Sequence, residues 1–106
     1  MNSVYYRDAA GAILVYDITD KDSFTKVKKW VDELKIYLPD DTPIAIAGNK
    51  CDLQNRQVEL GEAEAYAKTV LGAHFNTSAK TGKGIDELFR TLTKAVIRKG
   101  KRNKTS

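Results

Sequence analysis

Asp52 stands in the string Gly48-Asn49-Lys50-Cys51-Asp52, directly after the apolar run Pro43-Ile44-Ala45-Ile46-Ala47. A carboxylate placed at the end of a strand can accept two parallel N–H donors at once. Guanine presents such a pair, N1–H and the N2 amino group, beside the O6 acceptor; adenine presents an acceptor at the same place. Hydrogen bonds to a charged partner contribute roughly 1.5–3 kcal/mol each. A buried charge left facing an acceptor is rejected steeply. Asn49 can bond the N7 side of such a base or tie two loops together, and Lys50 can lay its aliphatic stem over the ring plane.

A second string, Thr77-Ser78-Ala79-Lys80, follows the short run Ala73-His74-Phe75-Asn76. There the backbone N–H of Ala79 can donate to O6, and Lys80 can cover the other face of the ring. Either string alone is an ordinary polar turn. Both together, each directly after a strand and separated by one helix and one strand, form a constellation that coincidence rarely produces.

The elements that position these strings alternate strand and helix. Ala12-Ile13-Leu14-Val15-Tyr16 reads as a strand covered on both faces. Asp20, Asp22 and Ser23 supply helix-start chemistry, and Phe24, Val27, Val31, Leu34 and Leu38 follow at helical spacing, with Trp30 beside them, until Pro39-Asp40-Asp41. After Pro43–Ala47 a second helix carries Leu60, Ala63, Ala67, Val70 and Leu71 on one side. Its start at Glu59 lacks a small capping residue, and Gly72 is expected to close it. The third strand is Ala73–Thr77. The last helix begins near Gly84 with Asp86 and Glu87 in its first turn, and carries Ile85, Leu88, Phe89, Leu92 and Val96 as its stripe.

Three strands alternating with three helices through short loops predict an α/β fold with a parallel sheet and right-handed crossovers. Such sheets bind ligands beyond the carboxyl ends of their strands, where both strings lie.

Composition bounds the reading. The 106 residues suit one small domain, read here as residues 1–97 with a basic, flexible tail from 98 to 106. Arg98, Lys99, Lys101, Arg102 and Lys104 account for all of the net +4, because the remaining 13 basic and 14 acidic residues nearly cancel. No basic patch interleaved with aromatics occurs elsewhere, so nucleic acid is not an expected partner. No apolar run approaches a membrane span, the first residues carry no export signal, and the single cysteine, Cys51, excludes an internal disulfide framework and fits a reducing compartment. His74 has no metal-ligand spacing to a Cys or acidic partner and reads as structural, and Cys51 reads as a small packed residue.

At this point the sequence resembles the C-terminal part of a Rab-type small GTPase of the Ras-like superfamily. The likeness is carried by Tyr5-Tyr6-Arg7-Asp8, Gly11 through Thr19, Ser23-Phe24, Val27, Trp30, Gly48 through Leu53, Thr77 through Lys80 and Glu87-Leu88-Phe89. It runs from Val4 to about Ile97. Asp8 and the string Asp20-Lys21-Asp22-Ser23-Phe24 are similar to the endosomal type twenty-one subgroup.

The resemblance implies guanine binding by Asn49, Lys50, Asp52, Ser78, Ala79 and Lys80. It implies GTP or GDP as the ligand and Mg²⁺ as the family's metal. It also implies a cytoplasmic protein working on the cytosolic face of endosome or Golgi membranes in vesicle traffic, with Rab regulators or effectors as partners, Tyr5 and Tyr6 lying in the region that would meet them. The departures are as informative. The sequence contains no G-x-x-x-x-G-K-[ST] string, and Gly82-Lys83 is its nearest fragment. Asp8-Ala9-Ala10-Gly11 fits D-x-x-G but precedes a strand rather than following one. Switch I and its Mg²⁺-binding threonine are not found, so this chain alone is expected to have no catalytic residues, no metal ligands and no GTP turnover.

No cysteine near the C-terminus offers a prenyl anchor. An incomplete gene product and a non-catalytic binding module are the competing expectations. The Ala12–Tyr16 strand is expected to show an unpaired edge, which would leave the chain loosely folded or prone to aggregation.

Overall fold

Hydrophobic period decides which side of the sheet each residue serves. In the computed structural model, strand β2 (Ala12–Asp17) turns Ala12, Leu14 and Tyr16 to one face and Ile13 and Val15 to the other. Strand β3 (Ile44–Asn49) splits likewise, Ile44 and Ile46 against Ala45 and Ala47. The structure describes residues 3–7, 11–39, 42–50 and 54–105, with side chains described for 11–39, 42–50 and 54–98.

In chain order the elements are β1 (Ser3–Arg7), β2, α1 (Lys21–Tyr37), β3, α2 (Leu60–Thr69), β4 (Ala73–Asn76) and α3 (Ile85–Thr105). The sheet order is β1-β2-β3-β4, and β2, β3 and β4 run parallel. Helices α1 and α2 cover the face of Leu14, Tyr16 and Ile46. The larger core lies there, built on Phe24, Val27, Val31, Leu34, Val58, Ala63 and Ala67. Helix α3 covers the opposite face through Leu88 and Leu92.

The α/β class and the three parallel strands stand as read from the sequence. Strand β1 is an addition that corrects the expected open edge. It pairs antiparallel with β2, from Ser3 opposite Tyr16 to Arg7 opposite Ala12. The direction follows from the connection: parallel pairing needs a crossover of a dozen or more residues, and only residues 8–11 separate the two strands. The β-prone Val4-Tyr5-Tyr6 thereby satisfies the β2 backbone that the reading left unpaired.

Helix α1 begins as its sequence predicts. Asp20 is its N-cap, and Asp20 Oδ1 accepts from the Asp22 N–H at 2.9 Å. Helix α2 has no side-chain cap at Glu59 and buries only Ala63 and Ala67. Leu71, expected on its inner side, is 79% exposed. The residue in the left-handed region at the end of α2 is Leu71 (φ +59°), not Gly72. Gly72 is instead needed for space, since a Cβ there would lie 3.2 Å from the Ile44 carbonyl oxygen. Helix α3 continues through the basic residues read as a flexible tail and ends at Thr105. Lysine and arginine are good helix formers, and their charge suits the negative end of the macrodipole.

Candidate functional site

The carboxyl ends of β2, β3 and β4 lie side by side, with Asp17 in register with Asn49 and Gly48 with Asn76. The two strings found in the sequence emerge here from adjacent strands. Asn49 joins them: its Oδ1 accepts from the Ala79 N–H at 3.1 Å and from the Thr77 hydroxyl at 3.3 Å. Of the two roles open to Asn49, the structure shows the tie between loops. The Ala79 N–H, read as a donor toward O6, is given to Asn49 in this structure.

The second loop is shaped by Ser78, which is fully buried. Its N–H donates to the Lys83 carbonyl at 3.0 Å, its carbonyl accepts from the Gly82 N–H at 2.7 Å, and its Oγ accepts from the Thr81 N–H at 3.2 Å. Ser78 therefore folds the loop, while Ala79 and Lys80 are exposed on it. Gly82 (φ +81°) and Gly84 (φ +80°) make the return into α3. At Gly84 a Cβ would stand 2.1 Å from the Asn76 carbonyl oxygen. Gly82-Lys83, the nearest fragment of a phosphate loop, thus belongs to the turn that closes the second string.

Lys50 turns the first loop. Its φ of +67° lies in the left-handed region, which costs a side-chain-bearing residue about 1–2 kcal/mol. Its ammonium is held 2.7 Å from Asp17 Oδ2. Asp17 is 5% exposed and its other oxygen, Oδ1, accepts from the Thr19 N–H at 2.8 Å and the Thr19 hydroxyl at 2.6 Å. Burial alone would raise the Asp17 pKa, but the hydrogen bonds from Lys50 and Thr19 outweigh it and the net shift is downward. Ser23 fixes the same corner, its Oγ accepting from the Asp17 N–H at 2.9 Å.

Sequence reasoning missed Asp17, Thr19 and Thr77. The one available signal was a carboxylate placed directly after five apolar residues, at the strand end where ligands sit. Asp52 and Cys51 lie outside the described residues, as do Asp8 and the side chains of Tyr5 and Tyr6. Trp30 is half-buried against the main core.

Beneath the loops, Tyr16 Oη and His74 Nε2 are hydrogen-bonded at 2.8 Å across β3. Burial, reinforced by the nearby Arg56 guanidinium, pushes the His74 pKa down to about 4. Burial pushes Tyr16 up to about 12, Arg56 opposing and Glu62 adding to it. Both groups are neutral near pH 7, so the histidine holds the scaffold, in keeping with its structural reading.

Among the described residues no group of three His, Cys, Asp or Glu side chains could hold a metal ion. No described helix is long and apolar enough to cross a membrane.

A family profile described as the Ras family matches residues 1–98. The chain is 53% identical over 98 residues to the Ras-related protein Rab-21 of Dictyostelium discoideum, covering 92% of this chain and 46% of that protein. It is 54% identical over 98 residues to human Ras-related protein Rab-21, covering 92% and 44%. It is 47% identical over 94 residues to human Ras-related protein Rab-31, covering 88% and 48%. The chain spans less than half the length of these relatives.

Proposed function

We propose that this chain, which belongs to the Ras family, forms the guanine-recognising part of a Rab-like small-GTPase nucleotide site. The observation that carries the proposal is the bridge from Asn49 Oδ1 to Ala79 N–H and Thr77 Oγ1. It brings an N-K-x-D string and an S-A-K string together at the carboxyl ends of neighbouring parallel strands, where α/β sheets bind ligands. Asp52 accepts the guanine N1–H and N2–H. Lys50 and Lys80 cover the base, Ser78 folds the second loop, and Ala79 offers its N–H toward O6 as well as to Asn49. Asn49 keeps the loops in register.

GTP or GDP is the ligand at its guanine end. Phosphoryl transfer depends on a phosphate-binding loop and Mg²⁺, and the sequence contains no such loop motif. The chain alone therefore binds without turning GTP over. Likeness to Rab-21 and Rab-31 supports a place in vesicle traffic on the cytosolic face of endosome or Golgi membranes, with Rab regulators or effectors as partners.

Titration calorimetry of the chain with GDP and with ADP tests the reading. GDP is expected to bind at least about tenfold tighter, which is about 1.4 kcal/mol, and Asp52→Asn is expected to remove the difference. Equal affinities for the two nucleotides, or no binding of either, would refute it.

A further inference from the structure

Helix α3 presents two exposed rows side by side. Positions four apart in a helix line up along its axis. Phe89, Thr93 and Ile97 form one such row, and Arg90, Lys94 and Arg98 form the next. All six residues are exposed. The inward side of the helix is taken by Leu88 and Leu92, which pack with Ala45, Ala47 and Phe75. Phe89, expected on that inner side, is 54% exposed, and Ile97 is 50% exposed.

The charge on this helix has one sign beyond its first turn. After Glu87 the sequence holds no acidic residue, while Arg90, Lys94, Arg98, Lys99, Lys101, Arg102 and Lys104 are basic. The helix runs on to Thr105, so the last four continue the same rod. Among the described residues, Arg90, Lys94 and Arg98 have no ion-pair partner. A merely solvated face needs cations but no phenylalanine or isoleucine in line beside them. A helix lying in a membrane interface needs both. Its apolar side chains enter the acyl boundary, and its long basic ones keep their charged ends among anionic headgroups. A nucleic acid would answer the charge but give Ile97 nothing apolar to bury against.

We infer that the outer face of α3 docks on an anionic phospholipid membrane, the Phe89–Ile97 row entering the interface and the Arg90–Arg98 row lying on the headgroups. Helices α1 and α2 cover the other face of the sheet and take no part. The inference does not rest on the nucleotide reading, and its test contains no nucleotide.

Co-sedimentation of the chain with vesicles of phosphatidylcholine alone, and with about a quarter phosphatidylserine, reads this out. Binding is expected only to the anionic vesicles, and it is expected to be lost in molar salt, where screening acts within about 3 Å. Each basic residue near such a surface contributes about fivefold in partitioning. Arg90→Gln, Lys94→Gln and Arg98→Gln together keep a good helix former at each position and should weaken binding about a hundredfold. Phe89→Gln with Ile97→Gln leaves the charge unchanged and should weaken it about tenfold. Thr93→Glu sets an acid between those two at an exposed position, leaves the core untouched, and should have an effect of similar size, about tenfold.

Sedimentation with neither vesicle, or equally with both, would overturn the inference. So would a triple glutamine variant that binds like the wild type. If Phe89→Gln with Ile97→Gln and Thr93→Glu both bind like the wild type, the apolar row has no part and the inference fails. Polyuridylate bound more tightly than the anionic vesicles, and equally well after Phe89→Gln with Ile97→Gln, would assign the surface to nucleic acid instead.

Discussion

Gly82 and Gly84 have nearly the same φ, +81° and +80°, yet alanine should be tolerated at one and not at the other. At Gly82 nothing lies within 4 Å of an added Cβ. Gly82→Ala therefore incurs only the left-handed penalty of about 1–2 kcal/mol, offset by about 0.4–1 kcal/mol of lost freedom in the unfolded chain, a net cost near 1 kcal/mol. At Gly84 the same Cβ would stand 2.1 Å from the Asn76 carbonyl oxygen and 3.1 Å from its carbon. Both are backbone atoms at the end of β4, so no side-chain rotation relieves the overlap. Overpacking of this kind costs a further 1–3 kcal/mol or so, giving a total of about 2–4 kcal/mol. Small domains have only about 5–15 kcal/mol of stability in all.

Urea denaturation of the three chains, followed by circular dichroism, should place Gly84→Ala about 2 kcal/mol below Gly82→Ala at equal slope. GDP affinity should follow the same order, because Asn76 leads directly into Thr77 and the second loop. Two alanine variants equal within about 0.5 kcal/mol would refute the argument that close approach, not backbone freedom alone, fixes glycine at position 84.

His74 should make the fold acid-sensitive. Its pKa falls from 6.5 in the unfolded chain to about 4 in the fold, so the unfolded state binds the proton first. Stability is full above about pH 6.5 and is lost as the pH drops toward 4. The unscreened limit is about 3 kcal/mol and partial exposure reduces it to about 1–2 kcal/mol. Urea midpoints at pH 7 and pH 4.5 should differ less in His74→Gln than in the wild type, and an unchanged difference would count against it. Leu71, left-handed at φ +59° and 79% exposed, should be improved by Leu71→Gly by about 1 kcal/mol. A thermal melt that does not rise would contradict this.

What was legible in the sequence is what local chemistry decides. Asp20 caps α1, and Phe24, Val27, Val31 and Leu34 are buried at the spacing that predicted them. The strands β2 and β3 match the runs read as strands to within a residue or two. Asn49 ends β3, and Ser78 and Ala79 follow the end of β4. Illegible were the features that depend on a distant partner. Strand β1 forms against the edge of β2 and has no period of its own to announce it. Asp17 looks like an ordinary strand terminus until Lys50, 33 positions along, reaches it. The stripe of α2 misled because a helix resting on Ala63 and Ala67 sits close to the sheet and leaves its larger end residue, Leu71, outside.

Gly48 shows how deeply the candidate site depends on its floor. In the sequence it reads as the stop of a strand, and its φ is unremarkable. A Cβ there would meet Tyr16 Oη at 2.7 Å and Ile18 Cγ2 at 3.0 Å. The tyrosine ring, tilted 50° against Phe24 at 4.9 Å between centroids, crosses over β3 at the one position without a side chain and reaches His74 on β4. A single half-buried polar bond thus spans three strands under the loops. Gly48 precedes Asn49, and His74 lies two residues before Asn76, so the same bond sets the height at which both strings leave the sheet. The Asn49 bridge above and the Tyr16–His74 bond below clamp β3 and β4 from two sides. The glycine of the first string is therefore required by packing beneath the site, not by the turn that the site makes.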